Sequence, residues 1–416
     1  MAQVRYNSLA DRSWSRAKFI ARPLCKPWPG NLQPVLAVSF SRLLVAAGTV
    51  IYSYAIRVPS AEGYGSRLVY EGSYSFKLGP GSPERDVTSI AFVHDGAKDH
   101  TVSIGFEDGC VEQLYLPPHR GPTWRQRVLI KRAPQKALHF HGKEVVCLSY
   151  SRNSLLSLSS WGSIAFTDLS SPSASAVTVQ LGVRSWSSHL CMTASTPYAA
   201  FGITCTTHLT PLLLHYITPS GLLPTASLLL NSPRHRPSAV YGIARPAPSS
   251  PLGSSDHVIV SGWYDGAVRV HDLRADDRVI SDEGTTLNPV LTLYDPWSPE
   301  PVYSVSCGGG SASFVAAGTA RYSVVAFWDV RQPTKGWSVH APGNDPSPVY
   351  SVVLESSRMF GVTQSRSFVY DFGPGVTKDT YPFIPVAGDR LDRQLKPKGD
   401  GIDFCTLIYN HTGLLV

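Results

Sequence analysis

The stretch that decides the fold is Ser261–Arg274, SGWYDGAVRVHDLR. An apolar run stops at a Tyr-Asp-Gly corner, restarts as an alternating run and ends in His-Asp-Leu. An acid-Gly corner between apolar runs lets two strands reverse tightly, so the stretch predicts a β-hairpin. A lone hairpin is marginal in water. It needs copies of itself to pack against.

Partial copies run along the whole chain. GFEDGCVEQLYL (105–116) keeps the acid-Gly corner. SSWGSIAFTDL (159–169) turns at Trp161-Gly162 and ends in Asp168-Leu169. GTARYSVVAFWDVR (318–331) ends in Trp328-Asp329, VTQSRSFVYDFG (362–373) in Tyr370-Asp371, and VAAGTVIYSYAI (45–56) is a degenerate version. Each copy follows a further short apolar run: VLAVSF (35–40), DVTSIAFV (86–93), VVCLSY (145–150), AVYGIARP (239–246), PVYSVSCG (301–308) and PVYSVVLE (348–355). The stretch HLCMTAS, PYAAFGI, PLLLHYI (189–217) reads as one more copy with a longer inner corner.

Strand ends recur about 42–60 residues apart, the period of three- or four-stranded units that stack radially. One small sheet cannot bury both faces, so the expectation is an all-β, seven-bladed WD40-type β-propeller with a short N-terminal extension. Residues 1–30 form the extension and 31–416 the propeller. The units run roughly over 35–78, 86–131, 145–181, 189–230, 239–295, 301–341 and 348–373. Outer strands are expected at 73–78, 124–130, 175–181, 225–230, 289–295 and 336–341. The last unit lacks one, and a chain end must supply it to remove an open sheet edge. Both 17–24 and 406–416 qualify, and the N-terminal segment is preferred. Gly266 serves the inner corner. Asp168, Asp272, Trp328, Asp329 and Asp371 are expected to hold the units together, the aromatic between neighbouring sheets and the Asp on backbone or a nearby side chain. The Gly-His dipeptide of strong WD repeats is missing, so inter-blade stability is expected to rest on apolar packing.

Composition agrees. Of 416 residues, 43% are hydrophobic and 16% charged, with 34 Gly and 33 Pro: enough apolar surface for a core, and many turn formers. No run approaches a membrane-spanning length. The polar, basic start lacks a signal core, which predicts a cytoplasmic or nuclear protein. Seven scattered cysteines without a CxxC pair argue against disulfides and a zinc module. The net charge of +7 concentrates in residues 1–30 and 113–143, where basic surface can attract nucleic acid or acidic protein.

Reactive motifs are missing. There is no Walker loop, HExxH, GxSxG or GxGxxG between strand and helix. GPGSP (79–83) lacks the lysine and helix of a phosphate cradle. His139 and His141 share a strand face with no third ligand suggested, and read as exposed strand residues. Asp276, Asp277, Asp282 and Glu283 sit in an apparent loop with nothing apolar to shift a pKa. NHT (410–412) is a glycosylation triplet without a secretory context. The expectation is therefore a non-enzymatic binding platform with no cofactor and no metal. The residues at the inner corners, Glu107, Asp108, Trp161, Trp263, Tyr264, Arg321 and Tyr322, are candidate partner-binding residues, aromatics and Arg being the side chains that anchor interfaces.

The last two repeats, PVYSVSCGGGSASFVAAGTARYSVVAFWDVRQP and SPVYSVVLESSRMFGVTQSRSFVYDFG, resemble the C-terminal blades of F-box/WD-repeat proteins of the dactylin type. SLADRSWSRAKFIARPL (8–24) looks like the closing helix of an F-box, whose Leu-Pro start and preceding helices are not among these residues. The resemblance implies a substrate receptor of an SCF-type ubiquitin ligase. A protein substrate or degron peptide would sit on a monomeric propeller, with Skp1 and cullin as partners if an F-box lies upstream. The alternative is a scaffold of a ribonucleoprotein or chromatin complex.

Overall fold

The computed structural model describes residues 2–57, 65–76, 85–96, 99–117, 129–130, 135–170, 176–205, 210–232, 238–253, 256–281, 284–342, 345–377, 379–382, 384 and 408–412. GPGSP, Asp282, Glu283 and, in the basic stretch 113–143, residues 118–128 and 131–134 lie outside these residues.

The alternating apolar runs become strands in seven sheets; six have their chain-first strand innermost, and in the seventh the innermost is Val349–Glu355 while the chain-first strand lies at the outer edge. The innermost strands are Val35–Val38, Val87–Phe92, Val145–Ser151, Ser185–Cys191, Val240–Ala244, Val302–Gly308 and Val349–Glu355. Each touches the next in order, and the seventh touches the first, so the sheets close into a ring around a channel. The result is an all-β propeller. Its cores lie between sheets. Trp328 packs among Val258, Val260, Val268 and Leu293 of the fifth sheet, and Tyr370 among Phe327, Trp337 and Val339 of the sixth. Second strands end close against the neighbouring sheet. A Cβ on Gly318 would lie 2.8 Å from Val349 Cγ1 and from its carbonyl oxygen, so only glycine lets the sixth and seventh sheets approach this closely.

Three strand expectations need correction. The second sheet's outermost strand is Gln135–Phe140, not 124–130; Leu129–Ile130 instead pairs in parallel with Arg67–Ser75 of the first sheet. The first sheet's outer strand begins at Arg67, ahead of the expected 73. The fourth innermost strand begins at Ser185, because the polar Arg-Ser-Trp-Ser hides the strand from a search for apolar runs. Outer strands at Val177–Gln180, Leu228–Leu230 and Leu291–Tyr294 fall within the expected segments, and Lys335–His340 begins one residue ahead of the expected 336–341.

Both chain ends join sheet edges. Ile20–Pro23 pairs with Ser367–Asp371 and is the fourth strand of the seventh sheet, while Ile408–Thr412 pairs with Lys335–His340 of the sixth. Ahead of the closing strand, helix α1 (Ala2–Ser15) docks beside the corners joining the first and second strands of the sixth and seventh sheets. Its Trp14 is fully buried, stacked 3.5 Å from Phe372 and 5.0 Å from Phe314. The Gly-Gly-Gly run 308–310 makes room: Gly309 has φ +63°, and a Cβ there would sit 2.7 Å from the Trp14 ring. The Asp11 carboxylate accepts the Ser311 N–H at 2.8 Å, and the Tyr6 and Ser357 hydroxyls share a hydrogen bond of 2.8 Å.

Polar networks hold the sheets beside the apolar packing on which stability is expected to rest more heavily. The expected aspartates cap the exits of third strands within their own sheet. Asp168 accepts the Ser170 N–H, Asp272 the Arg274 N–H and Asp329 the Arg331 N–H. Asp371 is buried and ion-paired with Arg358 at 3.1 Å, and Arg358 also donates to Ser66 Oγ of the first sheet at 3.0 Å. The equivalent Arg42 binds Glu71 at 3.1 Å and donates to the carbonyls of Asp99 and Pro117 in the second sheet. His141 is not an exposed strand residue. It lies between Ser157 and Ser163 (2.8 and 3.1 Å), where burial, then the neighbouring His139, pushes its pKa down to about 4.

Two outcomes follow. Replacing Trp14 with Ala removes the aromatic that joins α1 to two sheets, and should cost about 3–5 kcal/mol in denaturant unfolding. Separately, His141, His189 and His271 are each held by burial at about 4, against about 6.5 in an unfolded chain. Between those values the unfolded chain binds protons that the folded chain does not. Stability is therefore full above about 6.5 and is lost as pH falls towards 4. Burial raises the Glu144 and Glu355 carboxyls, which act in the opposite sense. A thermal-melting series from pH 7.5 to about 4.5 should show Tm falling, with a shallower slope in His271→Asn.

Candidate functional site

The corners joining second to third strands, and the loops entering each innermost strand, gather at one end of the ring. All seven expected partner-binding residues lie at these corners, but they do not serve alike. Trp161 and Tyr322 stand out, 67% and 57% exposed, and Tyr264 is also exposed. Trp263 is not available: it is 0% exposed, its Nε1–H donates to Ser261 Oγ at 2.8 Å, and the Arg269 guanidinium lies 4.4 Å from its ring centroid. Arg269 is in turn tied to Asp265 at 2.6 Å. Asp108 is engaged within the fold by Arg85 at 2.8 Å, which also binds Glu112 at 2.9 Å and stacks over Phe106. Burial opposes the ionised Asp108, but the Cys110 N–H and Arg85 outweigh it and hold the carboxyl below its ordinary value. Glu107 is exposed, and Arg321 reaches Glu300 at 3.7 Å from a largely exposed position.

Tyr322 is presented by a left-handed corner. Tyr322 and Ser323 have φ of +59° and +48°, a conformation unfavourable for bulky residues. The surroundings hold it. Their N–H groups donate to the carbonyls of Pro346 and Ser347 at 3.0 and 2.8 Å, and His340 Nδ1–H donates to the Tyr322 carbonyl at 2.6 Å. A groove beside this corner is lined by Asn31, Arg321, Asp345, Ser347, Gln364 and Ser365. Thr363 Oγ1–H and the Ser347 N–H donate to Asp345 at 2.8 and 2.9 Å, fixing the groove's wall.

The main feature of this end was missed by reading corners alone. In six sheets the innermost strand carries a β-bulge at its second residue. A bulge leaves one residue out of the ladder and re-aims its side chain. The residues at the six bulges are Thr88, Val146, Trp186, Tyr241, Tyr303 and Tyr350. The last four come from successive sheets and form an arc at the channel mouth. Ring centroids are 4.9 Å apart for Trp186–Tyr241, 5.2 Å for Tyr241–Tyr303 and 5.9 Å for Tyr303–Tyr350. Tyr264 joins from its corner, 6.2 Å from Tyr241, and Arg184 lies 4.2 Å over the Trp186 ring. Burial, then the neighbouring phenol of Tyr303, raises the pKa of Tyr241 and Tyr350, so both remain neutral O–H donors at physiological pH. The signal in the sequence was the recurring Val-Tyr-Ser or Val-Tyr-Gly at the start of these strands.

Among the described residues no cluster of three His, Cys, Asp or Glu side chains is placed to hold a metal ion, and no helix is long and apolar enough to cross a membrane. Asp276 and Asp277 are exposed.

No family model matches this chain, and no curated protein matches it in sequence. Among solved structures, the WD40 repeats of RRP9 align with a TM-score of 0.54 at 14% identity, over 85% of this chain and 97% of that one. The WD40 beta propeller domain of Doa1 aligns with a TM-score of 0.54 at 12% identity, over 87% and 99%. At such identities the likeness is one of fold, that of a WD40-type β-propeller.

Proposed function

We propose that the chain is a non-catalytic, seven-bladed protein-interaction scaffold that holds an extended segment of a protein partner across the channel mouth. The observation that carries this reading is the arc of Trp186, Tyr241, Tyr303 and Tyr350, raised by bulges on four successive innermost strands. Aromatics with a polar tip supply large contact area and a hydrogen-bond donor at little cost in side-chain freedom. Trp161, Tyr264, Arg321 and Tyr322 extend the contact outward over the corners.

Two finer assignments are carried forward. A substrate receptor of an SCF-type ligase, with a degron at the mouth and Skp1 and cullin as partners, rests on the resemblance of the last two repeats. Against it stands Trp14, the hallmark of the F-box-like stretch, whose ring is committed to the propeller. A scaffold in a ribonucleoprotein or chromatin complex rests on the propeller fold. It also draws on the exposed Arg5, Arg12, Arg16 and Lys18 of the N-terminal extension.

The test is quantitative co-purification from cells, comparing wild type with Tyr241→Ala/Tyr303→Ala/Tyr350→Ala. Phe40→Ala, at an exposed corner on the opposite end of the ring, is the control. The mouth variant should lose a defined protein partner about tenfold or more while the control keeps it. Retention of every partner by a folded mouth variant would overturn the reading. Skp1 and cullin among the partners would select the ligase assignment, and nucleic acid bound with a steep salt dependence the alternative.

A further inference from the structure

The third and outermost strands of the fifth sheet, Ala267–Asp272 and Leu291–Tyr294, are joined by an excursion that leaves its own sheet. Within it, Gly284–Leu287 adds in parallel to Leu228–Leu230 of the fourth sheet, and the fully buried Leu287 pins it there. Arg278–Ser281 pairs antiparallel with Gly284–Leu287 and ends the strand order, so it is the outer edge of that sheet.

Proteins usually protect such an edge with lysine, proline, a bulge or a covering element. Arg278–Ser281 contains neither lysine nor proline, and its register with Gly284–Leu287 runs without a shift. Its two central side chains are apolar and turned to solvent: Val279 is 52% exposed and Ile280 84%. Successive strand residues face opposite sides, so each face of the edge offers one apolar side chain. Acidic side chains lie beside it. Asp276 and Asp277 precede the strand and are exposed, and Asp282 and Glu283 follow it in the sequence. Arg274 is paired with Asp272 at 2.7 Å, and the exposed Arg278 at the start of the strand points back to the Leu273 carbonyl at 2.8 Å.

We propose that this edge captures, by strand addition, an extended segment of another protein in which β-branched or aromatic residues lie beside Lys or Arg. Main-chain hydrogen bonds supply the pairing, Val279 and Ile280 meet the apolar residues, and Asp276 and Asp277 select the basic neighbours. The site lies on the outer edge of the fourth sheet and is independent of the channel mouth.

The test pans the whole chain against a phage-displayed library of random octapeptides, then titrates the best sequence recovered. The expected sequences alternate apolar residues and carry Lys or Arg beside them, matching Asp276 and Asp277. Affinity should fall about tenfold or more in Ile280→Lys and in Asp276→Asn/Asp277→Asn, and equally when alternate peptide amides are N-methylated. Both variants alter exposed residues, and unchanged melting temperatures confirm that they fold. Failure to recover any binder sensitive to Ile280→Lys overturns the proposal, as does indifference to N-methylation. Self-association abolished by the same variant would assign the edge to a second copy and overturn it equally.

Discussion

The pairing of Ile20–Pro23 with Ser367–Asp371 is the contact on which the ring depends. Without it the seventh sheet would have three strands and an open edge, and packing between the seventh and first sheets would be left to hold the ring closed. Pro23 is acceptable there because an outermost strand can leave an N–H unused. The pairing continues beyond the strand: the Leu24 and Trp28 N–H groups donate to the Ser367 and Ser365 carbonyls. Joining segments from opposite ends of the chain costs entropy that grows only slowly with loop length. The Trp14 cluster and the Arg358 contacts across to the first sheet offset that cost at the same seam.

Closure gives the ring two unlike ends. The end carrying the first-to-second strand corners of the sixth and seventh sheets is occupied by α1. The other keeps its corners and channel mouth open. The networks there differ from sheet to sheet: Arg85 with Asp108, His141 between serines, Asp265 with Arg269, Asp345 with Thr363. Each ties a corner to neighbouring backbone or strand, with different residue types doing an equivalent job. That variation is why the repeat is faint in sequence while the sheets are regular.

The bulges connect fold to site. A regular ladder would alternate the second residue of each innermost strand with its neighbours between core and channel. Leaving that residue unpaired lets the following ones keep their packing while the extruded side chain turns to the mouth. Four aromatics at that position make the mouth one-sided, since the second and third sheets place Thr88 and Val146 there.

The alternation of apolar and polar residues, the acid-Gly corners and the spacing of Asp-ended strands were enough to give an all-β propeller and most strand positions. Those are local signals, set by side-chain period and turn chemistry. The sequence also held the Val-Tyr-Ser repeats, without saying that their tyrosines meet. Tertiary structure alone decided that Trp14 and Trp263 are buried while Trp161 is free, that His141 bridges two serines, and that Arg278–Ser281 ends a sheet belonging to another unit. Each depends on which residues, distant in the chain, are brought within hydrogen-bond or van der Waals range, and no local pattern encodes that distance.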